Sequence, residues 1–201
     1  VVESVLSAVV YVEANGPWGT WSGSGVCIAP DGIILTARHV IEGADEFVVR
    51  FPDGREYTST DTFVSERVVV DAGFIHLWAD ANDPVPFITE WGMSSQLRIG
   101  EGVFVVGSPF GEQLFNTVTK GIVSCVSREI PFFSEKNILH IDAQSWPGNS
   151  GGPVFDLESN FVGILVGGMY GADGIGFVTP SDICARLLSI YVENLRLMEM
   201  E

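Results

Sequence analysis

Ser150 lies in the run Pro147-Gly148-Asn149-Ser150-Gly151-Gly152-Pro153, a serine framed by glycines. A serine hydroxyl becomes a useful nucleophile only when a base takes its proton and fixed donors hold the oxyanion that forms. Glycines allow a tight turn and let a carbonyl approach main-chain N–H groups closely. The expected oxyanion hole is therefore Gly148, Asn149 and Ser150, with the N–H groups of Gly148 and Ser150 as donors. Alone, such a loop is more often a plain turn. The base must come from the three histidines, His39, His76 and His140. His76 sits inside an apolar run and His140 lies beside Asp142, so both read as packed strand residues. His39, in Leu35-Thr36-Ala37-Arg38-His39-Val40, follows a strand-like run where its ring can face a cleft. Asp71, opening Ala72-Gly73-Phe74-Ile75-His76-Leu77, is the candidate to fix the imidazole tautomer and stabilise the imidazolium.

The elements that must hold these groups are short strands. Val5 to Glu13, Gly25 to Ile28, Gly32 to Thr36, Glu46 to Phe51, Arg55 to Thr58, Phe63 to Val70 and Ala72 to Leu77 read as a first group. Pro30-Asp31-Gly32 and Pro52-Asp53-Gly54 are turn sequences inside it, and Ala37 to Ile41 suits a helical turn. The stretch Ala79 to Trp91, with Pro84 and Pro86, reads as a crossover linker. A second group follows at Gly102 to Val106, Gln113 to Ser127, Ile138 to Ala143, Pro153 to Phe155, Phe161 to Val166 and Gly174 to Val178. Two batches of strands around a linker predict an all-β fold of two small antiparallel barrels. They divide the chain into residues 1–88, carrying His39 and Asp71, and residues 89–201, carrying Ser150. Ser181 is placed to cap a final helix in which Ile183, Leu187, Leu188, Tyr191, Leu195 and Met198 recur at helical spacing.

Composition narrows the function classes. A net charge of −16, with only 10 Lys and Arg, opposes nucleic-acid binding and adsorption to anionic membranes. Cys27, Cys125 and Cys184 stand far apart in apolar contexts, which reads as buried free thiols and leans weakly to a reducing compartment. No apolar run reaches membrane-spanning length, and the opening Val1 to Val12 lacks the basic leader of a signal peptide. Neither a metal-ligating nor a nucleotide-binding motif appears, so no cofactor is expected.

Several spaced motifs together resemble the trypsin-like serine peptidases, and among them the HtrA/Deg subfamily. Gly23-Ser24-Gly25-Val26 leading to His39 resembles the segment that presents the family's histidine, and Val70-Asp71-Ala72-Gly73-Phe74 the segment with its aspartate. Asp142-Ala143-Gln144 through Pro153 resembles the nucleophile loop. Gly107-Ser108-Pro109-Phe110-Gly111, Thr119 to Ser124 and Gly174-Ile175-Gly176-Phe177 match in kind. The resemblance implies two six-stranded barrels with the site between them, and an endopeptidase acting on proteins or peptides through His39, Asp71 and Ser150. It also implies a primary pocket walled by Ser145, Leu165, Val166, Gly167, Gly168 and Ile175, none of them acidic, which favours an apolar side chain before the cleaved bond. Leu165 to Gly167 is expected to pair with the substrate backbone. Asn149 stands where digestive relatives carry an aspartate, so activation through a new N-terminus is not expected. The PDZ domain usual in the subfamily is not expected in this chain, whereas a trimer and an extracytoplasmic location are allowed. Two other readings compete: a gated or idle peptide-binding, chaperone-like module on the same fold, and a purely structural two-barrel domain.

Overall fold

The computed structural model describes residues 2–130, 137–169, 174–198 and 200. The chain opens with one helical turn, α1 (Glu3–Leu6), then forms β1 (Val9–Gly16), β2 (Gly19–Cys27) and β3 (Ile33–Thr36). The turn α2 (Arg38–Ile41) precedes β4 (Glu46–Arg50), β5 (Glu56–Ser59), β6 (Thr62–Phe63) and β7 (Gly73–His76). These strands make one antiparallel sheet in the order β5-β4-β1-β2-β3-β7-β6. After the linker come β8 (Gly102–Gly107), β9 (Thr117–Arg128), β10 (Ile138–Ile141), β11 (Pro153–Asp156), β12 (Phe161–Gly168) and β13 (Gly176–Pro180). They close into a six-stranded barrel ordered β10-β13-β12-β11-β8-β9, and α3 (Ser181–Met198) packs against β12 and β13.

The all-β architecture in two strand groups with a terminal helix is the expected one. Its first half is a seven-stranded sheet rather than six strands closed on themselves. The predicted strand over Phe63 to Val70 shrinks to Thr62–Phe63. Beyond it the Ser65 hydroxyl accepts the N–H groups of Arg67 and Val68, a local turn that competes with a ladder. The predicted cap at Ser181 is also different. Ser181 does begin α3, but its hydroxyl donates to Gly92 O (2.7 Å) and accepts from Ser94 N–H (3.1 Å), tying the helix to the linker.

Burial follows the strand alternation. One apolar cluster joins Val10, Val26, Leu35 and Phe74 of the first half to Phe104, Val106, Phe155 and Phe161 of the second. A smaller one, with Val103, Val105, Leu139, Ile141 and Leu165, fills the closed barrel. His76 is 1 % exposed, as a packed strand residue should be, with Nδ1 against Tyr191 Oη (2.8 Å) and Nε2 against Asp31 Oδ2 (3.1 Å). Cys27 and Cys184 are buried, as expected, whereas Cys125 is only half-buried.

Candidate active site

The register of β3 on β7 brings two of the expected residues together. Thr36 lies opposite Gly73, so the chain leaving β3 runs beside the chain entering β7. His39, in the turn that follows, donates its main-chain N–H to Asp71 Oδ1 at 3.0 Å, and its Nδ1 lies 2.7 Å from Asp71 Oδ2. A carboxylate only accepts, so Nδ1 carries the proton and Nε2 is left as a base. The His39 side chain is 46 % exposed and that of Asp71 18 %, an imidazole open to solvent resting on a sheltered carboxylate. Trp21 Nε1 donates to Val40 O (3.0 Å) and steadies the turn from β2.

Ser150 comes from the second half, in the loop between β10 and β11. That loop is fitted to its neighbours by glycine. Gly151 has φ +84°, and a Cβ there would run into Ser24 O, Thr36 Oγ1 and Ala37 N, the backbone that leads to His39. Gly148, at φ +97°, has the Ser108 carbonyl where a Cβ would sit. Main-chain bonds then fix the loop: Ser24 N–H donates to Ser150 O (2.8 Å), Gly151 N–H to Leu165 O (2.7 Å), and Phe110 N–H to Pro147 O (2.8 Å). Ser150 Oγ has no hydrogen-bond partner among the described residues, so its bond to His39 is not formed here.

The three residues expected at the oxyanion hole divide. Among the described residues the N–H groups of Gly148 and Ser150 have no acceptor, so both are free for a ligand. Asn149 N–H is bonded to Trp146 O at 3.0 Å and cannot serve as a third donor. The Asn149 side chain is buried at 1 % exposure against Gly107, where a Cβ would come within 2.6 Å of Oδ1.

The expected pocket residues divide as well. A cleft of ≈ 210 Å³ beside Ser150 is lined by Ser145, Trp146, Pro147, Gly167, Gly168 and Met169. Leu165 and Val166 do not line it. Their side chains, 1 % and 3 % exposed, belong to the two apolar clusters. Leu165 N–H and C=O are already bonded to Gly152 and Gly151, so that residue is not free to pair with a substrate. Ile175 is half-buried behind Gly168, its carbonyl 2.7 Å from where a Gly168 Cβ would stand. Beyond Leu165 the edge of β12 that faces the nucleophile loop, Val166 to Gly168, pairs with no described strand. Trp146 and Met169 are absent from the sequence reading, and Phe110 enters it only within a matching segment, with no place at the site. Phe110 is 67 % exposed at φ +59°, and its ring centroid lies 6.2 Å from that of Trp146, on the rim of the site. The only signal was two aromatics in glycine- and proline-rich loops.

Residues 23–164 match the family of the trypsin-like peptidase domain, and the chain belongs to that family. It is 38% identical over 171 residues to a probable periplasmic serine endoprotease, DegP-like, of Hahella chejuensis, covering 84% of this chain and 35% of that protein. It is 33% identical over 205 residues to the serine protease Do-like HtrB of Bacillus subtilis, covering 92% and 44%. The chain thus spans about a third of the length of the DegP-like relatives it matches. Among solved structures, the HtrA-type protease AlgW with a tripeptide superposes with a TM-score of 0.84 at 28% identity, covering 96% of this chain and 62% of that one. The serine endoprotease from Yersinia pestis superposes at 0.80, also at 28% identity, covering 96% and 65%. Among the described residues no helix is long and apolar enough to cross a membrane, and no group of His, Cys, Asp and Glu could hold a metal ion.

Proposed function

We propose that this chain is the peptidase unit of an HtrA/Deg-like serine endopeptidase, with Ser150 as nucleophile, His39 as base and Asp71 as the residue that orients it. The observation that carries the reading is the double hold of Asp71 on His39, at the ring and at the main chain. It fixes the tautomer that leaves Nε2 able to take a proton. In the forward step Ser150 Oγ adds to the peptide carbonyl while its proton passes to His39 Nε2. The carbonyl oxygen, now negative, rests on Gly148 and Ser150 N–H. Collapse of the tetrahedral adduct breaks the C–N bond, and the amine leaves with the proton from His39. Water then repeats the sequence on the acyl-enzyme, with His39 as base and Ser150 as leaving group.

The ≈ 210 Å³ cleft takes the side chain before the cleaved bond. Its lining carries no charge, and Gly168 keeps it open, since a Cβ there would stand 3.0 Å from Ser145 Oγ. An apolar side chain of moderate size fits. The free edge at Val166 to Gly168 offers main-chain groups to an extended substrate. Protein and peptide substrates follow from this reading. A homotrimer, by family resemblance, is its expected assembly, to be read by light scattering on the eluting protein.

Labelling with a fluorophosphonate probe tests the reading. The wild-type protein is expected to label and to digest casein, whereas Ser150→Ala and His39→Ala do neither. Labelling that survives in Ser150→Ala removes Ser150 from the role.

A further inference from the structure

Ser24 is completely buried, and every hydrogen-bonding group it owns is engaged. It sits on β2 in the first half, yet its hydroxyl serves only the second. Ser24 Oγ donates to Gly148 O at 2.7 Å and accepts from Ser108 N–H at 2.9 Å. Its N–H donates to Ser150 O (2.8 Å), and its carbonyl accepts from Thr36 Oγ1 (2.7 Å), three residues before His39.

We propose that the Ser24 hydroxyl is a positioning residue for the oxyanion hole, holding both peptide planes at Gly148 in the orientation that aims its N–H at substrate. The inference rests on the peptidase reading above and deepens it. Gly148 N–H belongs to the plane it shares with Pro147. In a trans peptide the N–H and C=O point in opposite directions, so whatever holds Pro147 O also aims Gly148 N–H. Phe110 N–H holds Pro147 O. The loop that carries Phe110 is in turn anchored two residues earlier, where Ser108 N–H meets Ser24 Oγ. The next plane, between Gly148 and Asn149, is fixed by Ser24 directly through Gly148 O. Gly148 has no side chain to lock it and sits at φ +97°, where a glycine turns freely unless its neighbours are held. One hydroxyl therefore restrains both planes.

A buried serine can also be present only to satisfy its own polar group. Here the strand does not need the hydroxyl, because β2 pairs with β1 through main-chain groups, Ser24 opposite Tyr11. Removing it would leave Gly148 O and Ser108 N–H without their partner at the point where the negative charge develops. The cost then falls on the transition state rather than on substrate binding.

The test compares wild type, Ser24→Ala and Ser24→Cys on a chromogenic peptide with an apolar residue before the scissile bond. It also measures inhibition by the aldehyde of the same peptide, whose hemiacetal oxygen occupies the oxyanion hole. For Ser24→Ala, kcat is expected to fall roughly tenfold to a hundredfold, below the loss typical of deleting a donor outright, with KM held within about twofold. The aldehyde inhibition constant is expected to rise by the factor lost in kcat/KM. Ser24→Cys, a weaker donor of similar volume, is expected to fall between, and it carries the same readouts if Ser24→Ala does not fold. A folded variant with wild-type kcat overturns the proposal. So does a reduced kcat with unchanged aldehyde inhibition, or a loss that only tracks the folded fraction in a thermal melt. A wild-type protein inert to both the peptide and a fluorophosphonate overturns the peptidase reading itself, a result separate from any of these.

Discussion

Asp71 meets His39 at two points, and such pairs are readable in a sequence because each member has few other reasons to stand where it does. Ser24 is different. A serine in a strand gives no sign of what lies across the interface, and the partners of its hydroxyl are 84 and 124 residues away. Asn149 shows the opposite case: its place between the two donors counts it in the oxyanion hole, but a tight turn takes its N–H for Trp146 O. The cysteines also separate at this scale. Burial pushes the Cys27 thiol up to about 12. Cys125, held below its ordinary value by main-chain hydrogen bonding at Ser127 and by the neighbouring Arg128, is the thiol with more reactive thiolate. Brief treatment with iodoacetamide at pH 8, followed by peptide mass mapping, is expected to modify Cys125 well before Cys27. Equal modification would mean that Cys27 is not sealed in the core.

At the scale of elements, the strands around tight turns and the helical spacing of α3 were legible, since alternation and turn chemistry are local. The stretch after Phe63 was not, because its apolar run hides the Ser65 turn. Leu165 and Val166 were misassigned for a related reason. The end of the strand lines the cleft beside Ser150, but the faces of its side chains depend on how β12 sits between β11 and β13 and on a register shift between Leu165 and Gly167. Helix α3 reaches back to the first half through Tyr191, whose ring stacks on Phe74 at 5.2 Å and whose hydroxyl meets His76. Tyr191→Phe keeps the stack and removes the hydroxyl, leaving a buried His76 nitrogen unpaired. The expected cost is about 1–3 kcal/mol, a drop in Tm of several degrees. An unchanged melting temperature would show that His76 finds another partner.

At the scale of the molecule, the two strand groups share one apolar cluster, so the division between residues 88 and 89 is a boundary of topology and not of packing. The two halves are expected to unfold in a single transition, with calorimetric and van't Hoff enthalpies equal; two resolved transitions would mean that the shared cluster contributes little. The same seam carries the site, because His39 and Asp71 stand on one side and Ser150 on the other, and neither half alone assembles the chemistry proposed here. The open edge of β12 has a consequence of its own. A partner can join it only as an extended strand, and a segment still wound in a helix or already paired in a sheet has its main-chain groups occupied. On the peptidase reading, the enzyme therefore examines conformation before it examines sequence. Chains that have lost their structure are then the expected substrates, and intact proteins are expected to pass by.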